Sequence, residues 1–473
     1  MPYPIAAQPP LEFIPPAFDP IVLRATQLLL PTWVRFKTDL ARVEATNVET
    51  LVKLYDQFQH GKVRLLLAFR HPSVDDPFCL ASLIWQILPK AARQQGVSLK
   101  SPVHAHFIYD RGIPLWAGSY VGWLYSRLGG TPIMRGKLDR AGLRSVRDLL
   151  ANGKLPLAAA PEGATNGHGE IVSPLEPGVA QMGFWCVEDL VKAGRTEQVL
   201  IVPIGIQYRF ITPPWEAIDR LLSEMEQACG LSPKPQASAS LEEAEKAYYD
   251  RLLRLGEHLL SLMESFYTRF YNQTLTPASN SPVTSNITES NAAPSAENRD
   301  FAVRLQVLLD AALKVAEQYF NVPSKGTVTD RCRRLEQAGW DRIYREDLKQ
   351  IESLSSIERG LADRIAEESD LRMWHMRLVE SFVAVTGRYV REKPTVERFA
   401  ETTLLMWDVM ARIKGGNPFQ RPRLGKRSAH VTIGTPLSVS DRWETYQTDR
   451  RSAKQSVTDL TQELQSTLQN MIV

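Results

Sequence analysis

The sequence predicts an α/β fold, and three observations carry that prediction. Short apolar runs at 63–70, 155–160 and 199–206 each read as a strand buried on both faces of a sheet. Between them, apolar residues recur at helical spacing, and strands alternating with helices signal α/β architecture. After Thr212 the texture changes: residues 213–423 read as mostly helical, and strand texture returns only at 430–437.

The elements follow in chain order. Residues 1–18 are proline-rich and read as extended. From Pro20, the residues Ile21, Val22, Leu23, Leu28, Leu29, Leu30, Trp33 and Val34 give a helix a wide apolar face, with Arg24, Arg35 and Lys37 among them. Such a face either packs on its own domain or lies in a membrane interface. A second helix spans roughly 45–59, and the first buried strand ends at Arg70. Phe78, Leu80, Leu83, Ile84, Ile87 and Leu88 then mark a helix to about Arg93. The alternating run 103–109 reads as a strand with His104 and His106 on one face, a pair with no evident third metal ligand. An apolar, aromatic stretch at 116–128 ends at Gly129-Gly130, and a short strand follows at 131–135. The helix at 138–150 carries Arg140, Arg144 and Arg147 on one side, and Pro177-Gly178 opens another through Trp185. Beyond 212, amphipathic stretches at 241–270, 300–320 and 356–414 surround a Ser-, Thr-, Asn-, Pro- and Ala-rich flexible linker at 274–298. A polar helix at 448–472 closes the chain.

Composition narrows the class. The 473 residues, 44% hydrophobic and 23% charged, suffice for two domains or for one domain with a large insertion. A net charge of +3 gives no reason to expect nucleic acid as a partner. Cys79, Cys186, Cys229 and Cys332 lie far apart, so free thiols in a reducing compartment are expected. Cys79 falls within an apolar stripe and reads as core packing. No run reaches the roughly 18 apolar residues of a spanning helix. The start, Met-Pro-Tyr-Pro-Ile, lacks the pattern of a signal peptide, so a cytoplasmic location is expected.

The chemistry concentrates at His71-Pro72-Ser73-Val74-Asp75-Asp76-Pro77. His71 leaves the end of a buried strand, and Asp76 stands where the next helix starts, as its N-cap with Pro77 the first helical residue. One tight turn can fold that carboxylate back onto the imidazole. The result is a base held by an orienting acid, able to take a proton from a hydroxyl. The plainer alternatives are a satisfied histidine at a strand end and an ordinary N-cap. Asp75 reads as turn chemistry.

His-x-x-x-x-Asp at the end of a buried strand resembles the first motif of the glycerolipid acyltransferases, the 1-acylglycerol-3-phosphate acyltransferase-like family. Three further stretches resemble that family's motifs in order. Gly130-Thr131-Pro132-Ile133-Met134-Arg135 is similar to a strand ending in arginine, Pro161-Glu162-Gly163 to the first half of Pro-Glu-Gly-Thr-Arg, and Ile201-Val202-Pro203-Ile204-Gly205 to a proline-bearing apolar strand. A last family strand resembles Val431-Thr432-Ile433-Gly434-Thr435-Pro436-Leu437, but it arrives here only after the helical segment. The resemblance therefore implies a mixed β-sheet surrounded by helices and interrupted by a large helical insertion. Residues 1–59 would be N-terminal helices with a candidate membrane-interface element, and 60–212 the acyltransferase core. Residues 213–423 would be the insertion with its linker at 274–298, and 424–473 the return strand and C-terminal helix of the core.

The implied function is acyl transfer from an acyl-CoA or acyl-carrier-protein thioester to a hydroxyl of a lysophospholipid or glycerol-phosphate acceptor. His71 would be the base and Asp76 its orienting acid. Arg135 would hold a phosphate as a bidentate fork. Glu162 would bind acceptor hydroxyls, and Gly163 would let backbone N–H groups approach a phosphate. Backbone N–H groups near His71 or Gly163 would stabilise the tetrahedral oxyanion. No metal or resident cofactor is implied. The pattern breaks twice: Ala164-Thr165 stands where Thr-Arg is usual, and Pro177 stands where lysine often precedes the glycine, here Gly178. Two phosphate-facing cations are absent, and Thr165 would face the acceptor in place of one. A non-phosphate lipid alcohol is therefore an alternative acceptor. The rival readings are a thioester or lipid hydrolase using the same pair, and a non-catalytic lipid-binding scaffold. Partners in the main reading are the glycerolipid, the thioester donor and a membrane surface on which the protein is peripheral.

Overall fold

The computed structural model describes residues 5–134, 139–233, 241–275, 296–383, 388–418 and 420–472. Most of the linker expected at 274–298 lies outside the described residues, and its last three residues belong to a helix, Ala296–Phe320. The described chain divides into two compact units. One holds 12–134, 139–212 and 425–472; the other holds 5–11 together with 213–424.

The first unit is α/β, built on an eight-stranded mixed sheet with helices around it. Its strands are β1 (Leu40–Thr46), β2 (Val63–Phe69), β3 (His106–Asp110), β4 (Gly130–Ile133), β5 (Leu157–Ala159), β6 (Gln198–Phe210), β7 (Arg427–Ile433) and β8 (Leu437–Ser438). The order is β1-β7-β6-β2-β5-β3-β4, with β8 paired to β6. β6, β2, β5, β3 and β4 run parallel to one another, so their C-terminal ends share one edge of the sheet. β7 runs antiparallel to β6, with Ile206 opposite Val431, so the chain re-enters this sheet after residues 213–424.

All seven residues of β2 are buried. Leu65, Leu67 and Phe69 join one core cluster, and Leu66 and Ala68 the cluster on the opposite face. That period-two division is why a central parallel strand reads as an unbroken apolar run. On the first face pack α1 (Pro20–Lys37) in part, α2 (Val48–Gln59), and α3 (Asp76–Ser82), which continues through a π turn at Leu83–Ile87 into α4 (Leu88–Gln94). Pro89 lacks the N–H that an unbroken ladder needs at that turn. After α5 (Ile113–Ala117) and α6 (Ser119–Arg127), the opposite face takes α7 (Arg140–Asn152), α8 (Gly178–Lys192) and the closing helix Arg450–Asn470.

Two expectations are corrected here, and one pair of alternatives is divided. Residues 1–59 are not only helices outside the core, because β1 is a strand of the main sheet, parallel to β7, and 5–11 belong with the helical unit. In that edge strand Arg42 and Glu44 are exposed while Val43 and Ala45 pack against the core, a short period-two alternation. Of the two readings of the Pro20–Lys37 face, each holds for part of it: Leu23 is buried and the Trp33 ring meets Phe78 at a tilt, centroids 4.9 Å apart, while Ile21, Leu28 and Leu29 are exposed. Asp76 is the first residue of α3 rather than its N-cap; Asp75 holds the cap position.

The second unit is helical: Trp215–Ala228, Leu241–Tyr271, Ala296–Phe320, Val328–Ile343, Ser356–Val383, Arg388–Glu392 and Val396–Ile413. Two of its buried carboxylates are paired internally. Buried Glu226 accepts from Arg251 at 2.8 Å, and buried Glu317 accepts from Arg331 at 2.6 Å, each arginine also reaching an aspartate.

Candidate active site

β2 ends at Phe69, and the turn after it carries Arg70 and His71 to the shared C-terminal edge of the parallel strands, where open α/β sheets bind ligands. The five-residue step closes as the sequence suggests. His71 Nδ1 lies 3.0 Å from Asp76 Oδ2. The same oxygen accepts from Ser73 N at 2.8 Å, and Asp76 Oδ1 accepts from the Tyr208 hydroxyl at 2.5 Å. Asp76 is fully buried, which explains why it leaves the cap role: its carboxylate turns inward to three donors. A carboxylate facing Nδ1 assigns the proton to Nδ1 and leaves the Nε2 lone pair available. No described residue hydrogen-bonds Nε2, and the His71 side chain is 23% exposed. A base with one nitrogen oriented and the other open is the arrangement that proton abstraction needs.

Burial and the neighbouring Asp76 carboxylate push the Tyr208 hydroxyl well above its ordinary range, so it stays protonated and donates. Cys79 Sγ lies 3.3 Å from that hydroxyl, and burial pushes its thiol up as well. It is core, not a nucleophile. Asp75 is more than turn chemistry: its Oδ2 accepts from Arg427 Nη2 at 2.7 Å.

Glu162 follows β5 but is not turned outward for acceptor hydroxyls. It is buried, with Oε1 accepting from His71 N at 2.8 Å and Oε2 accepting from Ser173 N at 2.9 Å and from Asn166 Nδ2 at 3.2 Å. Arg70, 1% exposed, places its Nε 3.8 Å from Glu162 and donates to the carbonyls of Gly169, Ile171 and His168. Arg70 and Glu162 thus fasten the 161–173 loop to the turn that carries His71. The two expected oxyanion donors are also engaged: His71 N donates to Glu162, and Gly163 N donates to Ala160 O at 3.2 Å. Gly163 sits at φ +73°, a conformation that favours glycine.

The other expected residues make no hydrogen bond to the His71–Asp76 pair among the described residues. Arg135 lies outside the described residues. Thr165 and Pro177 are exposed. Arg147 is committed to Asp189 at 3.0 Å, while Arg140 and Arg144 are exposed. His104 and His106 serve structure. Trp85 Nε1 donates to His104 Nδ1 at 3.0 Å, and the other ring nitrogen meets Leu128 O at 2.9 Å. His106 Nδ1 meets Gly129 O at 2.9 Å. Burial pushes His104 down to about 4 and His106 in the same direction. Gly129, at φ +81°, is needed there, since a Cβ would stand 2.7 Å from His106 Nδ1.

Sequence reasoning missed Arg70, Tyr208, Asn166, Ser173 and Arg427. For Tyr208 a signal existed: Ile204, Ile206 and Tyr208 share one face of β6 at period two. The strand expected at 199–206 stopped two residues short of it. Compared with protein-family models and with curated proteins, the chain matches none.

Proposed function

We propose that this protein is an acyltransferase that moves a fatty acyl group from an acyl-CoA or acyl-carrier-protein thioester to a hydroxyl of a glycerolipid. The observation that carries the reading is the His71–Asp76 pair at 3.0 Å, at the carboxyl edge of a parallel sheet, with Nε2 open. In the proposed step Nε2 takes the acceptor proton as the hydroxyl oxygen attacks the thioester carbonyl. Asp76 stabilises the imidazolium. Collapse of the tetrahedral intermediate breaks the C–S bond, and the departing thiolate takes the proton back. The products are an ester and a free thiol, with no acyl-enzyme.

Lysophosphatidate or a related phosphate-bearing acceptor is the first choice by resemblance. The neutral, exposed Thr165 and Pro177 support a broader range that includes lipid alcohols. Each missing charge-assisted bond to phosphate is worth roughly 1.5–3 kcal/mol. A peripheral membrane location fits the remaining face of α1. Ile21 and Leu28 are 78% and 79% exposed, Leu29 and Phe36 are exposed beside them, and the helix carries three cations and no acid. Among the described residues no helix is long and apolar enough to cross a membrane.

The test is turnover of both thioester donors against lyso-lipid and neutral lipid-alcohol acceptors, with products identified by mass. Ester formation supports the reading; thiol release without an acceptor, at the same rate as with one, makes the protein a hydrolase. Thr165→Arg is expected to raise preference for lysophosphatidate over a neutral acceptor about ten-fold or more. A wild type restricted to lysophosphatidate would contradict the broader range.

A further inference from the structure

Asp76 can orient His71 only while its carboxylate plane is fixed, and the fixing group comes from another strand. Both oxygens are engaged, Oδ2 by His71 Nδ1 and Ser73 N, and Oδ1, among the described residues, by the Tyr208 hydroxyl alone. Rotation about Cβ–Cγ would break the Tyr208 bond and leave a buried charged oxygen without a donor. Tyr208 is itself held. The Arg427 guanidinium lies 4.7 Å over its ring and donates to Asp75 Oδ2 at 2.7 Å. These residues sit on three elements, α3, β6 and β7, and β7 exists in this sheet only because the chain returns after the helical unit.

We propose that Tyr208, braced by Arg427, is a positioning residue for the base: it locks the Asp76 carboxylate so that Oδ2 stays aimed at His71 Nδ1. The hydroxyl never touches substrate. It acts by geometry, so the imidazole keeps the tautomer with the proton on Nδ1 and Nε2 open. The kinetic part of this inference rests on the acyl-transfer reading; the coupling of Tyr208 to His71 does not.

Tyr208→Phe removes the hydroxyl and keeps the ring under Arg427. In the full-length protein, kcat is expected to fall about ten-fold with KM unchanged. In an Asp76→Asn background the same change is expected to cost less than about two-fold, because its target is already lost. A merely structural tyrosine would give equal losses in both backgrounds, and that result overturns the proposal. The second measurement needs no substrate. The hydrogen-bonded His71 Nδ1–H proton resonance, assigned by its loss in His71→Ala, is expected to move upfield and broaden in Tyr208→Phe, since a carboxylate no longer locked holds Oδ2 on Nδ1 less firmly. A resonance at the wild-type position overturns the proposal. If His71→Ala turns over as fast as wild type, the acyl-transfer reading fails by itself, and the resonance alone decides the role of Tyr208.

Discussion

Glu162→Gln separates a buried organiser from a residue that binds substrate. Both carboxylate oxygens accept N–H bonds: His71 N on Oε1, Ser173 N and Asn166 Nδ2 on Oε2. Glutamine offers one acceptor and one NH₂, so either orientation of its amide sets a donor against a donor. A buried donor left unsatisfied costs about 1–3 kcal/mol. Arg70 adds to this, because its buried charge loses the only carboxylate within 4 Å among the described residues. Loss of a buried partner costs roughly 3–5 kcal/mol. The lower end applies, since the Arg70–Glu162 distance is 3.8 Å and three carbonyls still hold the guanidinium. The local loss is therefore about 4–6 kcal/mol, which corresponds to amide exchange faster by about 10³–10⁴-fold. Hydrogen exchange read by mass spectrometry on peptides covering His71 and Ser173 measures it, with kcat followed in parallel. Faster exchange at both amides and a lower kcat are expected. Unchanged exchange with only KM raised would refute the reasoning and return Glu162 to the acceptor.

Other outcomes follow from the same structure. Buried His104 takes a proton near 6.5 when unfolded but only at about 4 when folded. Between those values the unfolded chain binds more protons, so this stabilisation is complete above pH 6.5 and is lost as the pH falls toward 4. The gap of about 2.5 pH units corresponds to about 3 kcal/mol. His104→Gln should flatten the acid side of the stability curve by that amount, and parallel curves for variant and wild type would contradict it. Leu28→Glu with Leu29→Glu is expected to release the protein from anionic vesicles in a flotation assay while the melting temperature holds, because both side chains are exposed. Unchanged flotation would assign that face to another partner.

The parts legible in the sequence are those where one local pattern decides the outcome. β2 was visible because a strand buried on both faces is apolar throughout, and the His71–Asp76 turn because it spans five residues. The return of β7 to the sheet was legible only through resemblance, since no local pattern says which strand it pairs with. β1 was missed although Arg42, Glu44 and Thr46 are exposed and Val43 and Ala45 half-buried in alternation: the run is short, and the helix expected from about 45 overlaps its end. Glu162 was located correctly, but its direction depends on Arg70 and Ser173, which contact it only in the folded chain. Tyr208 and Arg427 are ordinary strand residues in sequence. Register brings them to Asp76 and Asp75, and register is a tertiary property.

The central claim is that His71, oriented by Asp76, is the base for acyl transfer. The most direct measurement is kcat of folded His71→Ala against wild type, with a thioester donor and a lyso-lipid acceptor at saturation. A fall of about 10²–10⁴-fold with an unchanged melting profile is the predicted result. A folded variant that keeps the wild-type rate would contradict it.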